Sequence, residues 1–208
     1  MKYSELLFLV LLSGGAAAAG GARPAHAEAE HQHHEHHHAM AAASGYQRTT
    51  ASYDIPDVRL VDAGGVNMSL REVLSGNEPV MLNFIFTSCT AICPVMSATF
   101  SQVQEQLGDE RSKVRMVSIS IDPENDTPER MREYAAKYEA GPQWRMLTGT
   151  IEDSIAVQRA FGAFRGDKMN HAPTTFLRAG GNGKPWVRLE GLASAADIIH
   201  EYHQLAGH

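Results

Sequence analysis

The stretch "PVMLNFIFTSCTAICPVMSATFSQVQEQL", from Pro79 to Leu107, decides the fold. Its first eight residues are almost all apolar, which is typical of a strand buried on both faces of a sheet. Its second half has apolar residues at helical spacing. It predicts a helix that begins around Pro94, a residue suited to a first turn, and ends at Gly108. Both cysteines of the chain, Cys89 and Cys93, lie between the predicted strand and the body of the helix.

The flanking sequence continues this alternation of strands and helices. We expect a hairpin at 58–70, a strand at 113–122, a helix at 126–138, a strand at 144–149, a helix at 150–162, a hairpin at 174–191 and a helix from Ser194. Strands separated by helices imply right-handed crossovers and a sheet covered on both faces. The predicted fold class is therefore α/β, a thioredoxin-like fold with an N-terminal β-hairpin and a C-terminal hairpin plus helix.

The N-terminus has the pattern of a targeting segment. An apolar run at residues 6–19 follows Lys2, and Ala25-His26-Ala27 fits the small-x-small pattern of a signal-peptidase site. We interpret residues 1–27 as a cleaved signal peptide, which places the mature protein in the periplasm or on the outer face of the cytoplasmic membrane. The alternative is an uncleaved membrane anchor, although the run is shorter than the roughly 20 residues that a spanning helix needs.

Residues 28–52 are low in complexity, and six histidines fall between His31 and His38. This composition predicts a disordered His-rich tail, with the folded domain at 53–208. Histidine tracts bind transition metals through neutral imidazole, so metal capture is one interpretation and a solvated tail or affinity tag is the other. The formal net charge of −6 and the absence of basic runs argue against a nucleic-acid partner.

The spacing of Cys89 and Cys93 leaves several chemistries open, since a thioredoxin-type motif has two residues between its cysteines and this pair has three. The pair follows the carboxyl end of a strand, where open α/β sheets place their sites. If the helix extends back to Cys89, the two thiols share one face, and the helix N-terminus stabilises thiolate. Thiolates bind metals and attack disulfides, so both a metal site and a redox dithiol fit. A structural disulfide would close a very small loop and stabilise little.

His171 is the candidate third ligand. It stands in the loop before a strand that we expect to lie near the cysteines, although an exposed loop histidine is the alternative. Thiolates select Cu(I), and imidazole also suits Cu(II). A methionine thioether is a further possible donor, but methionines are more often core residues; the candidates are Met96, Met116 and Met169.

Three stretches carry a resemblance to a known family: "NFIFTSCTAICPVMSATF" (83–100), "VSISIDPENDTPERMREYAAKY" (117–138) and "MNHAPTTFL" (169–177). Together they resemble the Sco/SenC family of thioredoxin-fold copper-binding proteins, which take part in cytochrome c oxidase assembly. The resemblance covers roughly residues 53–205. It implies that Cys89, Cys93 and His171 are copper ligands.

The chain departs from the family pattern beside the predicted ligand histidine. Asn170 stands where the family often has Asp, which removes a negative charge next to the metal. Pro173-Thr174 looks more thioredoxin-like than is usual for the family, and Pro173 is a candidate cis proline. Asp122 and Pro123 lie in a matched stretch, and we interpret them as turn residues that shape the rim of the site.

Three functions remain in view. The first is a copper chaperone that passes the ion to a receiving protein, an oxidase subunit, by ligand exchange; such a protein is not an enzyme in the strict sense. The second is a thiol–disulfide oxidoreductase that keeps partner cysteines reduced through Cys89 and Cys93. The third and weakest is a thiol peroxidase, since no arginine lies near the cysteines in sequence.

Overall fold

The computed structural model describes residues 45–207. The predicted signal peptide and the histidines from His31 to His38 lie outside the described residues. The strands are β1 (Tyr46–Ala51), β2 (Arg59–Asp62), β3 (Asn67–Ser69), β4 (Val80–Ile85), β5 (Arg115–Ser120), β6 (Trp144–Thr148), β7 (Thr174–Arg178) and β8 (Trp186–Gly191). The helices are α1 (Leu70–Leu74), α2 (Ile92–Leu107), α3 (Pro128–Lys137), α4 (Ile151–Ala160) and α5 (Ala195–Ala206), with short 3-10 turns at Gly108–Lys113 and Lys168–Asn170.

All eight strands form one mixed sheet in the order β1-β8-β7-β4-β5-β6-β2-β3. The central strands β4, β5 and β6 are parallel, and each crossover between them contains a helix. The hairpin β7–β8 joins β4 in antiparallel fashion, and the hairpin β2–β3 joins β6 at the other edge. The predicted α/β thioredoxin-like class, with both of its hairpins, is confirmed.

Two apolar cores lie on the two faces of the sheet, as the continuous apolar run of β4 predicts. Its odd-numbered residues Met81 and Ile85 pack in the core that also contains side chains of α2, α3 and α5. Its even-numbered residues Leu82 and Phe84 pack in the core under α1 and α4. Because β4 is buried on both faces, its position is fixed, and the loop that follows it starts from a rigid strand.

Side-chain caps define the starts of three helices. Thr127 and Thr150 accept hydrogen bonds from the backbone three residues on, at the starts of α3 and α4. Ser194 forms a capping box with Asp197 at the start of α5. Each cap satisfies a backbone N–H that the first helical turn leaves without a partner.

The N-terminal boundary of the folded part lies earlier than we predicted. Residues Tyr46–Ala51, which we expected to belong to the disordered tail, form β1 and pair antiparallel with β8 over six residues. The four middle side chains of β1 are exposed, so the strand carries no apolar alternation that a sequence pattern could reveal. Its pairing comes from backbone hydrogen bonds and from an ion pair between Arg48 and Glu201 of α5, with 2.8 Å between nitrogen and oxygen.

Within residues 45–207, no helix combines the length and the apolar character needed to cross a membrane.

Candidate metal and redox site

The cysteines lie where β4 ends and α2 begins. After Ile85 the chain turns, and the Cys89 N–H donates to the Phe86 carbonyl at 3.1 Å. The helix starts at Ile92, two residues before Pro94, so Cys93 lies in its first turn. Cys89 precedes the helix. The two residues are therefore not on one continuous helix, but Cys89 packs against the apolar core that contains Cys93, and each thiol influences the pKa of the other.

The two thiols have opposite electrostatic environments. Partial burial raises the pKa of Cys89, but backbone hydrogen bonds from Cys93, Ala91 and Ile92 outweigh it, with help from the Cys93 side chain. The pKa of Cys89 therefore lies below its ordinary value. Cys93 is 0 % exposed, and burial raises its pKa to about 12; the Cys89 side chain and the Asp126 charge act in the same direction. Both cysteines are free, so the pair is a dithiol with one acidic, accessible member.

His171 lies at the same end of the sheet, between the turn Lys168–Asn170 and β7. It is 8 % exposed, and its Nε2 lies 3.0 Å from the Phe84 carbonyl oxygen of β4. Burial lowers the pKa of His171, the nearby Arg165 cation lowers it further, and the hydrogen bond to Phe84 opposes both only in part. The ring is therefore neutral at pH 7. Because a carbonyl oxygen only accepts, Nε2 carries the proton and Nδ1 keeps the lone pair.

A buried polar network connects the cysteine loop to the turn after β5. Asp126 is 0 % exposed and accepts hydrogen bonds from the Thr87 N–H at 3.1 Å, the Thr87 hydroxyl at 2.6 Å and the Ser120 hydroxyl at 2.6 Å. Thr87 lies two residues before Cys89. A buried carboxylate requires such donors, so Asp126 fixes the loop that presents the thiols.

A second link reaches from the same turn to the histidine loop. Asp122 accepts from the Lys168 ammonium at 2.6 Å and from the Asn125 amide at 3.0 Å. Lys168 opens the 3-10 turn that leads to His171, and its ammonium lies 5.7 Å from the centroid of the Phe86 ring. We expected Asp122 to shape a turn at the rim. It does so, through the Asn125 N–H bonded to its carbonyl at 3.0 Å, and it also anchors the histidine segment.

The roles of four residues around the site were not predicted from the sequence; they are Asp126, Thr87, Ser120 and Lys168. A weak signal existed, because the two aspartates follow β5 and β5 is the parallel neighbour of β4. The carboxyl ends of neighbouring parallel strands lie at one edge of a sheet, where their loops can meet. The partners themselves could not be read from the sequence, since Thr87 and Asp126 are 39 residues apart.

The three predicted ligands lie at one end of the sheet, but only the two thiols influence each other's pKa; neither affects that of His171. His171 lines a cleft of about 580 Å³ beside α4, together with Asp122, Lys168 and Phe164, and the cysteines are not among its lining residues. Within residues 45–207, no group of three or more His, Cys, Asp or Glu side chains is arranged to hold a metal ion. The three-ligand set Cys89, Cys93 and His171 therefore stays a prediction that requires the histidine ring or the thiols to move.

The methionines considered as extra ligands differ in position. Met96 and Met116 are buried in or beside the core, as core residues should be. Met169 is 73 % exposed, two residues before His171. Of the three, Met169 alone presents its side chain to solvent.

Comparisons with known proteins place these observations in a family. The family described as SCO1/SenC matches residues 47–207. A SCO1 protein homolog of Bacillus subtilis (strain 168) is 38% identical over 105 residues, which cover 50% of this chain and 53% of that protein. A putative copper-binding protein of Stutzerimonas stutzeri is 34% identical over 109 residues, which cover 52% of each chain. The chain thus spans about half the length of these curated relatives.

A solved structure supports the same assignment. The structure of BsSco, described as a member of the Sco family of cytochrome c oxidase assembly proteins with a disulfide switch, is 29% identical and has a TM-score of 0.62. The alignment covers 74% of this chain and 93% of that one.

Proposed function

The chain belongs to the SCO1/SenC family, and from this premise we propose that it binds copper as cargo and delivers it to a copper site of cytochrome c oxidase. The observation that carries the proposal is the pair of free, neighbouring thiols at the start of α2, of which Cys89 is partly exposed and has a lowered pKa. A relative of similar sequence is named as a copper-binding protein, and a family member of related structure is described as an oxidase assembly protein.

The donor set suits copper in both oxidation states. Two thiolates favour Cu(I), and a neutral imidazole accommodates Cu(II) as well. Cys89 is prepared to bind, because its pKa is below the ordinary value, whereas Cys93 must release its proton when the metal arrives. His171 has a free lone pair on Nδ1 while Nε2 donates to Phe84; ligation through Nε2 would break that hydrogen bond.

Exposure suggests the order of ligand exchange. Cys93 and His171 are buried, whereas Cys89 is partly exposed. A thiol of the receiving protein would therefore approach the metal beside Cys89 and displace that ligand first. Ligand exchange would therefore begin at Cys89, while Cys93 and His171 keep the ion bound until its bonds to the receiving protein form.

A second function has its own supporting observation. The pKa difference between Cys89 and Cys93 is the pattern of an attacking and a resolving thiol. The Cys89 thiolate would attack a partner disulfide and release one partner thiolate, which takes up a proton. The resulting mixed disulfide would be resolved when Cys93 loses its proton and attacks Cys89, which frees the second partner thiol. The disulfide switch described for BsSco fits this alternative.

One experiment separates the two functions. The reduced, copper-loaded protein is mixed without oxygen with an excess of a metal-free oxidase copper domain, and copper and thiols are counted on both proteins after separation. Copper delivery predicts that the metal moves to the acceptor while the thiol count of each protein stays constant. Disulfide reduction predicts that an oxidised acceptor gains two thiols at the expense of Cys89 and Cys93, whether or not copper is present.

The N-terminal segment carries two further proposals. We propose that residues 1–27 export the protein, so that it works where the copper sites of oxidases are assembled, and that the histidines from His31 to His38 collect metal outside the folded part. Cell fractionation and N-terminal sequencing of the mature protein test the first. Metal binding by a variant with these six histidines changed to alanine tests the second.

A further inference from the structure

A cavity at the opposite end of the sheet carries features of a second binding site. It has a volume of about 460 Å³ and lies between the segment after β1, helix α1 and the β7–β8 turn. Its deepest charged residue, Arg178, ends β7 and pairs with Val80 at the start of β4, whereas the cysteines follow the end of β4. The length of β4, about 17 Å, separates this cavity from the cysteine site.

Arg178 is a buried cation that has no carboxylate partner. It is 5 % exposed, and its Nη2 donates to the Leu74 carbonyl at the end of α1. The guanidinium carbon lies 4.9 Å from the centroid of the Trp186 ring. Its Nε is buried and has no hydrogen-bond partner among residues 45–207, nor does any acidic side chain in that range form an ion pair with it. Burial, with the neighbouring Arg115 charge, lowers the pKa of Arg178.

Two neighbouring arginines differ from Arg178 because each has a carboxylate partner, although the Nε of Arg188 is also buried without a hydrogen-bond partner among residues 45–207. Arg115 also donates to carbonyls of the α1 end, those of Val73 and Ser75, but it is paired with Glu78. Arg188, one strand away, is paired with Glu190 at 2.9 Å. A buried charge without a counter-ion is costly, so an anion that reaches Arg178 would be bound favourably.

The rim adds positive charge, and the walls are apolar. Arg71 and Lys184 line the cavity as well, against the acids Asp54 and Glu72, so the lining carries a formal charge of +1 in a chain whose total is −6. The acid nearest Arg71, Asp54, is fully exposed and 3.9 Å away. Aromatic and aliphatic walls complete the cavity; they are Tyr53, Ile55, Leu74 and Trp186.

We propose that this cavity binds a small organic monocarboxylate, with its carboxylate on Arg178 and a flat apolar body against Tyr53 and Trp186. A single negative charge neutralises the lining, and a guanidinium offers paired N–H groups that match a carboxylate. The volume is in the range of small-molecule sites, about 300–1,000 Å³. The site is independent of the copper site, and its occupant need not be a metal ligand.

The test uses the full chain and benzoate as the probe. Saturable NMR shifts of the Trp186 indole N–H and the Arg178 side-chain N–H are measured with benzoate, with inorganic phosphate and with uncharged benzyl alcohol. Arg178→Gln is compared with Arg115→Gln, a matched control that also removes a guanidinium bonded to the α1 carbonyls but leaves the cavity lining unchanged. Lys184→Gln changes an exposed residue of the β7–β8 turn and tests the rim of the cavity.

We expect benzoate to saturate these shifts, with binding weakened about tenfold or more by Arg178→Gln, about threefold by Lys184→Gln and less than about twofold by Arg115→Gln. If Arg178→Gln and Arg115→Gln weakened benzoate binding equally, the loss would come from the disturbed end of α1, to which both arginines donate, and the proposal would be overturned. The proposal would also be overturned if benzyl alcohol bound as well as benzoate or if phosphate bound more tightly. The same holds if the shifts did not saturate with benzoate. If Arg178→Gln does not fold, unchanged benzoate binding in Lys184→Gln counts against the proposal.

Discussion

At the scale of single residues, Cys89 and Cys93 differ in burial and in pKa, and we expect them to have different roles. Both belong to one motif, but Cys89 lies in a turn where backbone N–H groups stabilise a negative charge, and Cys93 is buried in the first turn of α2. The same asymmetry suits metal binding, where Cys89 binds first, and disulfide exchange, where Cys89 attacks. The thiol asymmetry therefore agrees with both proposed functions and does not by itself distinguish them.

The asymmetry predicts how the thiols react with an alkylating reagent. In the reduced, metal-free protein, iodoacetamide should modify Cys89 much faster than Cys93. The rate should rise with pH around a midpoint lower than that of the same cysteine in the urea-unfolded chain, because the folded structure lowers the pKa of Cys89. Peptide mass spectrometry over a pH series measures this. Cys93→Ser should keep the fast site, and faster modification of Cys93 than of Cys89 would contradict the assignment.

His171 has a structural role in the metal-free protein. It supplies the hydrogen bond to the Phe84 carbonyl at the end of β4. His171→Ala should lower the free energy of unfolding of the metal-free protein by about 1–3 kcal/mol, since a buried carbonyl loses its partner. Urea unfolding measures the change. His200→Ala, on the exposed side of α5, is the control and should change the free energy of unfolding by less than about 0.5 kcal/mol.

At the scale of secondary-structure elements, the turn between β5 and α3 organises the site. Asp126 holds the cysteine loop through Thr87, and Asp122 holds the histidine loop through Lys168. One short turn therefore positions both halves of the predicted ligand set, and neither aspartate needs to touch the metal to affect it.

Loosening the histidine loop should weaken copper binding. Asp122→Asn removes the charge that holds Lys168, and we expect copper affinity to fall about tenfold, a typical cost of losing a partner outside the ligand shell. Lys168→Met should have a similar effect, and the double variant should be no worse than either single one, because both remove the same link. Competition with a copper chelator measures this. Glu124→Gln, in the same turn but exposed, is the control. Additive losses in the double variant would argue against a shared link.

At the scale of the whole molecule, the sheet is one strand wider than its sequence suggested. Residues Tyr46–Ala51 cover the outer edge of β8 and connect to α5 through Arg48 and Glu201. Without β1, the backbone groups of β8 would be exposed on an open edge.

Two truncations test the contribution of β1. A chain that begins at Gly45 should unfold at the same urea concentration as one that begins at Glu28. A chain that begins at Tyr53 should lose about 3 kcal/mol or more, because six residue pairs of the ladder and an ion pair disappear. Equal stability of the chains that begin at Gly45 and Tyr53 would show that β1 contributes little.

Strong local patterns made much of the fold predictable. The apolar run of β4, the helical spacing in α2 and the caps Thr150 and Ser194 each have a local physical cause that a sequence displays. Strand β1 was not predicted because its exposed side chains follow no apolar pattern.

The site was predictable in its residue types and in its place at one end of the sheet. The bonds of Asp126 to Thr87 and of His171 to Phe84 were not predictable, because they join segments 39 and 87 residues apart. Which loops meet is decided by tertiary packing, and spacing along the chain does not reveal it.

The most direct test of the central claim is a copper titration of the reduced chain beginning at Gly45, which keeps β1 and leaves out the histidines from His31 to His38. Metal is counted after desalting, alongside Cys89→Ser, Cys93→Ser and His171→Ala. We predict one tightly held copper per chain and a sharp loss of affinity in all three variants, since each removes one of three ligands. Unchanged binding of both Cu(I) and Cu(II) in His171→Ala would contradict the three-ligand site, and no retained copper in the parent chain would contradict copper binding by the folded part.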